Sequence, residues 1–221
     1  MTSRAAPRRY DNSRRRADAE ARQRGIIEAA TALFLEHGLG ATSIDQVAAA
    51  AEVSAPTIYA TFGNKAGVLA RAIDVAVVGD FQEIPVVDRI MGVIDGAGAG
   101  EVQQLVAVAR FIRTLNERVA PLVRVMEQAA STDPALQELR ARLIGGIRSD
   151  CAAAVAKAWC TALRPGLSED EAGDVLATMV SPEVYSMLTS DSGWSPERYE
   201  QWLADALPNL LLRPDLCGAA G

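Results

Sequence analysis

Three helix starts lie within residues 42–65, and their close spacing constrains the fold more than any other feature of the sequence. The first start is at Thr42 or Ser43, because each is followed three positions later by a side chain that can complete a capping box. The second is at Ser54, a favourable N-cap residue, and Pro56 in the first turn loses no helical hydrogen bond. Two short helices separated by a few residues predict a helix-turn-helix unit, whose second helix can enter the major groove of DNA.

An ordered set of residues surrounds these helices: Arg22-Gln-Arg-Gly-Ile-Ile-Glu-Ala-Ala, Leu33-Phe34, Gly38, Ala41-Thr42-Ser43-Ile44, Val47-Ala48, Val53-Ser54, Thr57-Ile58-Tyr59, Phe62-Gly63-Asn64-Lys65 and Leu69. In this set, which covers about the first third of the chain, the sequence resembles the TetR family of transcriptional regulators. Its ending, Gly193-Trp-Ser-Pro-Glu-Arg-Tyr-Glu-Gln-Trp-Leu-Ala, resembles actinobacterial-type members of that family. Two positions depart from the family pattern, since Glu52 stands where a turn glycine is usual and Thr61 where an aromatic residue or His is frequent. Glycine accepts a left-handed backbone freely, so Glu52 is expected to bear some strain.

The resemblance implies that the second helix of the unit and its surroundings bind DNA. Tyr59 lies about 100° around the helix from Ile58, beside the apolar stripe, so its phenol can donate to a phosphate. Lys65 begins the next helix, where its charge and the free amides attract phosphate. An aromatic side chain that only packs and a solvated lysine are the alternatives. The predicted DNA-binding residues are Thr42, Ser43, Ser54, Ala55, Pro56, Thr57, Tyr59, Ala60, Thr61 and Lys65.

Charge is divided unevenly along the chain. The 221 residues have a net charge of −6, but residues 1–70 hold nine basic and seven acidic side chains, which leaves −8 for the remainder. Residues 1–17 alone contain six Arg and one Asp. This segment is predicted to be a disordered basic arm, which either inserts into a DNA minor groove or stays solvated.

Composition favours helices over sheets, because hydrophobic residues, with Ala prominent, make up 49% of the chain and aromatic residues only 5%. We expect an all-α protein of about nine helices. No apolar run is long enough to cross a membrane, and no apolar segment of a signal peptide follows the Arg-rich amino terminus. These features predict a cytoplasmic protein without a membrane partner.

Breaks in the helical pattern predict four parts: the arm at 1–17, a DNA-binding domain at 18–80 with the helix-turn-helix at 43–62, an effector-binding and dimerisation domain at 81–212, and a flexible tail at 213–221. Helices are expected over 18–37, from Lys65 toward Phe81, and over 87–94, 101–130 with an interruption at Pro121, 133–163, 168–188 and 195–210.

No catalytic centre, metal site or cofactor is predicted, and the chain is not expected to be an enzyme. His37 is the only histidine, and it lies at the end of the first helix, where a structural role is favoured. Cys151 and Cys160 fall on opposite sides of a predicted helix and cannot pair with each other. A small helical enzyme remains as an alternative.

The carboxy-terminal helices are predicted, from the resemblance, to surround a small-molecule cavity and to form a homodimer. Plain core packing is the alternative for each of these residues. The candidate pocket residues are the large apolar side chains Met91, Phe111, Met126, Trp159, Met179 and Tyr185. The candidate dimer residues follow two apolar stripes: Leu176, Val180, Val184, Leu188, Trp202, Leu203, Leu207 and Leu210.

Together these patterns predict a homodimeric regulator of transcription, a repressor that a small apolar or amphipathic effector releases from a palindromic operator in double-stranded DNA. The main alternative is a helical ligand-binding or scaffolding protein without specific DNA recognition. Glu52 and the small apolar residues Ala55 and Pro56 favour that alternative.

Overall fold

The computed structural model describes residues 12–78, 86–98 and 100–217. Its helices are α1 Asn12–Ala41, α2 Ile44–Ala50, α3 Ala55–Phe62, α4 Lys65–Val78, α5 Val86–Gly96, α6 Glu101–Ala130, α7 Pro134–Ala154, α8 Glu169–Met179, α9 Pro182–Ser186, α10 Pro196–Leu211 and α11 Pro214–Cys217. A π-helical turn, Val155–Trp159, extends α7, and another, Met187–Asp191, extends α9. The described residues form no strand, so the all-α prediction is confirmed, with more helices than the predicted nine.

Helix α1 begins at Asn12 rather than at Asp18, so the prediction of a disordered arm is wrong for residues 12–17. The rest of that predicted arm, residues 1–11, lies outside the described residues. Gly38 has a φ of 79°, which interrupts the helical geometry of α1. The first straight segment of the helix therefore ends at the predicted position, after residue 37.

The apolar face of α1 is buried as its spacing predicts. Ile26, Ala30 and Phe34 are at most 1% exposed, because residues three and four apart lie on one side of a helix. Helix α4 is described as far as Val78, so its predicted extension toward Phe81 and the predicted domain boundary at residue 80 lie outside the described residues.

Helix α6 is continuous from Glu101 to Ala130, and the predicted interruption at Pro121 is wrong. An interior proline removes one helical hydrogen bond and crowds the carbonyl four residues earlier. Here the ring of Pro121 is exposed, while the adjacent Ala120 and Leu122 are buried. Helix α6 packs against α1, α4, α5, α7, α9 and α10, and this burial on several sides offsets the lost hydrogen bond.

Two predicted helices end earlier than expected. The helix expected to reach residue 163 ends with the π-helical turn at Trp159. The helix expected over 168–188 is divided, because α9 starts anew at Pro182 with Ser181 as its N-cap. The Ser181 hydroxyl accepts a hydrogen bond from the amide of Val184 at 3.2 Å, which stabilises this second start.

The predicted flexible tail is wrong for residues 213–217, which pack against the rest of the chain. The amide of Arg213 donates to the carbonyl of Ala162 at 3.0 Å, and the Cys217 thiol lies 3.5 Å from the carbonyl of Pro208. Residues 218–221 lie outside the described residues.

Two buried clusters fill the interior, and α6 belongs to both. The first joins α1 to α4 with the carboxy-terminal half of α6 and the start of α7. The second joins α5 and the amino-terminal half of α6 with the end of α7 and with α8 to α10. The amino-terminal helices are therefore not an isolated unit, because their core continues into α6.

We expect Phe34→Ala to lower the free energy of unfolding by about 3–5 kcal/mol, since it leaves a cavity in the first cluster. The adjacent Leu35 is 48% exposed, so Leu35→Ala should change the stability by no more than about 0.5 kcal/mol. Urea titrations at one protein concentration measure both values, and similar losses for the two variants would contradict the assigned orientation of α1.

Candidate nucleic-acid interface and internal cavity

Helix α2 starts with a complete capping box at Ser43. The Ser43 hydroxyl accepts from the amide of Gln46 at 3.1 Å, and the Gln46 side chain accepts from the amide of Ser43 at 2.7 Å. Of the two capping boxes that the sequence allows, the structure forms this one. Ser43 remains exposed, so it stays a candidate for contact with phosphate.

Thr42 has a different position from the one predicted. Its side chain is 1% exposed, and its hydroxyl lies 2.8 Å from the carbonyl of Gly38 and 3.2 Å from that of Leu33. The prediction that Thr42 contacts phosphate is wrong, because the hydroxyl is used to hold the end of α1 against the start of α2.

The turn between α2 and α3 contains the backbone strain that the sequence predicts. Glu52 has a φ of 54°, and it is the only residue other than glycine with a positive φ in the described part of the chain. A side chain in this left-handed region costs about 1–2 kcal/mol. The amide of Val53 donates to the carbonyl of Ala48 at 2.9 Å, which holds the turn closed despite that cost.

Helix α3 has one buried face and one exposed face. Ile58 is 1% exposed and anchors the helix in the first cluster. Pro56, Tyr59 and Ala60 are exposed, and the Tyr59 side chain is 53% exposed. The predicted position of Tyr59 beside the apolar stripe is confirmed, and its phenol is accessible to a partner.

The hydroxyl groups of α3 bond mainly to one another and to the helix backbone. Ser54 is the N-cap by backbone geometry, but its side chain caps no amide and instead lies 2.8 Å from the Thr57 hydroxyl. Thr61 donates to the carbonyl of Thr57 at 2.8 Å. Ser54 and Thr61 are exposed, whereas Ala55 and Thr57 are half-buried.

Lys65, at the start of α4, is tied to the backbone of the helices before it. Its ammonium group donates to the carbonyl of Leu39 at 2.6 Å and to that of Thr42 at 2.9 Å. The half-buried side chain is therefore not the free phosphate ligand that the sequence predicts. Two of its three donors join α4 to the end of α1, and only the third could serve a phosphate group.

A cavity of about 320 Å³ lies between α4, α5, α6 and α7, and the start of α9 completes it. Most of its lining is apolar, as is usual for small-molecule sites. It is lined by Ala70, Ile73, Asp74, Val77, Val86, Ile90, Ile112, Leu115, Asn116, Val119, Leu139, Arg142, Leu143, Gly146, Ile147, Asp150, Cys151, Val180 and Pro182.

None of the six predicted pocket residues lines this cavity, so that prediction is wrong for this site. Met126 and Trp159 are fully buried in the two core clusters, and the Trp159 indole donates to the Gln104 side chain at 3.0 Å. Tyr185 is buried against Tyr199, with 4.9 Å between the ring centroids. The remaining three, Met91, Phe111 and Met179, are partly buried against the core.

Several polar side chains interrupt the apolar lining of the cavity. Asn116 is fully buried and donates to the carbonyl of Val180 at 3.0 Å, but its Oδ1 has no hydrogen-bond partner in the described structure. Desolvation raises the pKa of Asp150 above its ordinary value. Desolvation also raises the pKa of Asp74, although Arg71 and Arg142 act in the opposite direction.

The predicted dimer residues fall into two groups. Leu176, Val180, Leu203 and Leu207 are buried within the chain's own second cluster, so the prediction that they form a dimer interface is wrong. In contrast, Val184, Leu188 and Trp202 are half-buried and Leu210 is 37% exposed, so these four are accessible. Met187 is not one of the predicted dimer residues, but it lies next to Leu188 and is 53% exposed.

Within the described residues no group of three or more His, Cys, Asp or Glu side chains could hold a metal ion. In the same part of the chain, no helix is long and apolar enough to cross a membrane.

Comparisons with known proteins agree with the geometry of the amino-terminal helices. Residues 26–72 match the model of the bacterial regulatory proteins of the tetR family. A curated relative, the HTH-type transcriptional repressor SCO4008 of Streptomyces coelicolor, is 38% identical over 79 residues, which cover 35% of this chain and 41% of that protein. Residues 26–72, which lie within α1 to α4, are therefore similar to the helix-turn-helix region of the tetR family of bacterial regulatory proteins.

Solved structures with low sequence identity share the whole fold. The structure of NalD from Pseudomonas aeruginosa, described as the secondary repressor of the MexAB-OprM multidrug efflux pump, is 22% identical and has a TM-score of 0.68, over 88% of this chain and 99% of that one. A SmeT–triclosan complex is 19% identical and has a TM-score of 0.65, over 89% of this chain and 94% of that one. At these identities the comparison establishes the all-α architecture alone.

In the folded protein, we expect iodoacetate to modify Cys160 much faster than Cys151. Cys160 is exposed, whereas Cys151 is 5% exposed, and burial together with the Asp150 carboxylate raises the pKa of its thiol to about 12. The reactive thiolate of Cys151 is therefore scarce at neutral pH. Peptide mass spectrometry after brief exposure measures both rates. The denatured chain is the control, and equal rates in the folded protein would contradict the burial of Cys151.

Proposed function

We propose that this protein is a DNA-binding repressor of transcription that acts as a homodimer and is released from a palindromic operator by a small molecule. The observation that supports DNA binding most directly is the exposed face of α3. Ile58 holds the helix from behind, while Pro56, Tyr59 and Ala60 face outward. A short helix that exposes small side chains can approach the base edges of a major groove closely.

The basic charge needed for phosphate binding is concentrated in residues 1–17, where three of the six arginines lie in the first turns of α1. Residues 18–70 contain three basic and six acidic side chains, a net charge of −3, whereas residues 1–17 contain six Arg and one Asp. Residues 18–70 by themselves therefore gain little from phosphate. The amino-terminal arginines are thus proposed to supply most of the electrostatic attraction.

Homodimerisation is proposed through the accessible apolar side chains of α9, its π-helical extension and α10. Val184, Met187 and Leu188 lie on the first segment, and Trp202 and Leu210 lie on the second. Two copies of this pair of segments can form an antiparallel four-helix interface about a two-fold axis. One short recognition helix reads only a few base pairs, so a dimer is what specific binding requires.

Release by an effector is proposed to act through α4. Ala70, Ile73 and Val77 of α4 line the cavity, and Lys65 at the other end of the same helix holds the carbonyls of Leu39 and Thr42. A ligand that fits one position of α4 better than another would also change the spacing of the two α3 helices in a dimer. The extent of release is limited by the difference in affinity for the two positions.

We expect Tyr59→Phe to weaken binding to the operator about tenfold or more without changing the stability of the protein. The substitution removes one hydroxyl donor, and hydrogen bonds to a charged phosphate contribute about 1.5–3 kcal/mol. The loss should be similar for all operator variants, because a phosphate contact carries no base information. Fluorescence anisotropy with labelled duplexes measures it. Unchanged affinity would exclude Tyr59 from the interface.

We expect replacing Arg4, Arg8 and Arg9 together by Gln to reduce the salt dependence of DNA binding. The slope of log affinity against log salt concentration should fall by about 0.9 for each phosphate that an arginine no longer neutralises. The control variant replaces the exposed Arg164 and Arg213 by Gln, because these lie in the acidic carboxy-terminal half. An equal slope in wild type and in the triple variant would contradict the role of the arm. Absence of any salt-dependent DNA binding by the wild type would favour a ligand-binding protein without DNA recognition.

A further inference from the structure

The cavity has two carboxylates in a mostly apolar lining. Asp74 comes from α4 and Asp150 from α7, and around them lie aliphatic side chains that include Ile73, Leu143 and Ile147. A carboxylate beside apolar surface loses hydration, which is unfavourable unless a positive charge or hydrogen-bond donors replace the water. The stability of the fold therefore does not explain why two carboxylates lie in this lining.

Of the two, Asp150 is the one without a compensating charge. Its side chain is half-buried, and desolvation raises the pKa of its carboxyl group. No side chain in the described part of the chain donates a hydrogen bond to it. Asp74 is more exposed and has the guanidinium groups of Arg71 and Arg142 nearby. A ligand cation would therefore gain most from Asp150, while Asp74 would add a weaker, screened attraction.

Arg142 does not turn the cavity into an anion site. It is exposed, and it lies close enough to Asp74 to stabilise that carboxylate. The charged groups that line the cavity are thus two carboxylates and one guanidinium, and the net charge of the lining is negative.

Asn116 is the uncharged polar residue of the lining, and its side chain is fully buried. It is 0% exposed, its Nδ2 is used by the carbonyl of Val180, and its Oδ1 accepts no hydrogen bond in the described structure. A buried acceptor without a partner costs about 1–3 kcal/mol. Because this oxygen has no accessible surface, the cost is borne by the unliganded fold and is not assigned to a ligand contact.

We propose that the cavity binds an amphipathic organic cation, with an apolar body of about two fused rings and a protonated amine that donates to Asp150. The size follows from the cavity volume of about 320 Å³, at the lower end of small-molecule sites. This inference rests on the proposed function, in which the same cavity holds the effector.

Three probes with the same ring system separate charge from shape: naphthylmethylammonium, naphthylmethanol and naphthoate. Isothermal titration calorimetry on the full chain, without DNA, measures their binding. The cation should bind at least about tenfold more tightly than the alcohol, since a charged hydrogen bond contributes more than a neutral one. The naphthoate anion should bind more weakly than the alcohol.

Asp150→Asn tests the assigned partner with little change in shape. The variant should lose about tenfold or more of the affinity for naphthylmethylammonium and keep the affinity for naphthylmethanol within about twofold. The unliganded variant should melt at an equal or higher temperature, because an amide is less costly to desolvate than a carboxylate. Asp170→Asn is the control, since Asp170 is exposed on α8 and does not line the cavity.

Three other results would overturn the proposed cation site in whole or in part. If the alcohol binds as tightly as the cation, the cation inference is overturned while the effector cavity stands. If Asp150→Asn weakens both probes equally, Asp150 shapes the cavity and does not recognise charge. If none of the three probes binds, the inference and the proposed effector site both fail, and the DNA measurements above, which use no ligand, still test the rest of the proposed function.

Discussion

The pair of hydrogen bonds from the Lys65 ammonium group to the carbonyls of Leu39 and Thr42 joins the start of α4 to the end of α1 and the start of α2. Thr42 in turn is held against the carbonyl of Gly38, so the end of α1, the start of α2 and the start of α4 meet at one point. An ammonium donor at helix-terminal carbonyls is favourable both as a charge-assisted hydrogen bond and through the helix dipole. A shift of α4 would therefore move or break this junction.

Helix α4 also lines the cavity, where two side chains have unfavourable surroundings. A buried amide oxygen without a partner at Asn116 and an uncompensated carboxylate at Asp150 both lower the stability of the unliganded protein. Apolar residues at these positions would pack at lower cost. Uncompensated carboxylates are common at binding sites, where a ligand supplies the missing partner. The backbone strain at Glu52 is a separate cost, borne in the turn that sets the angle between α2 and α3.

The helix-turn-helix was predictable from sequence because its signals are local. The capping box at Ser43, the buried Ile58, the exposed Tyr59 and the left-handed Glu52 each depend on a few neighbouring residues. The cavity was not predictable in the same way, because α4, α6 and α7 bring its lining together across long stretches of chain. Large apolar side chains proved to be core, as Trp159 shows. One sequence feature could have indicated the position of the cavity: Asn116 is a polar residue within an apolar stripe, between the buried Leu115 and Val119 of α6.

In the proposed function, two copies of this chain present their α3 helices to successive major grooves of one duplex. Selection of bound sequences from a pool of random duplex DNA by the purified protein tests this most directly. We expect enrichment of inverted half-sites whose centres are one or more helical turns apart, about 10 base pairs or a multiple of it. Selected pools that show no enriched sequence, or a single half-site without a partner, would contradict it.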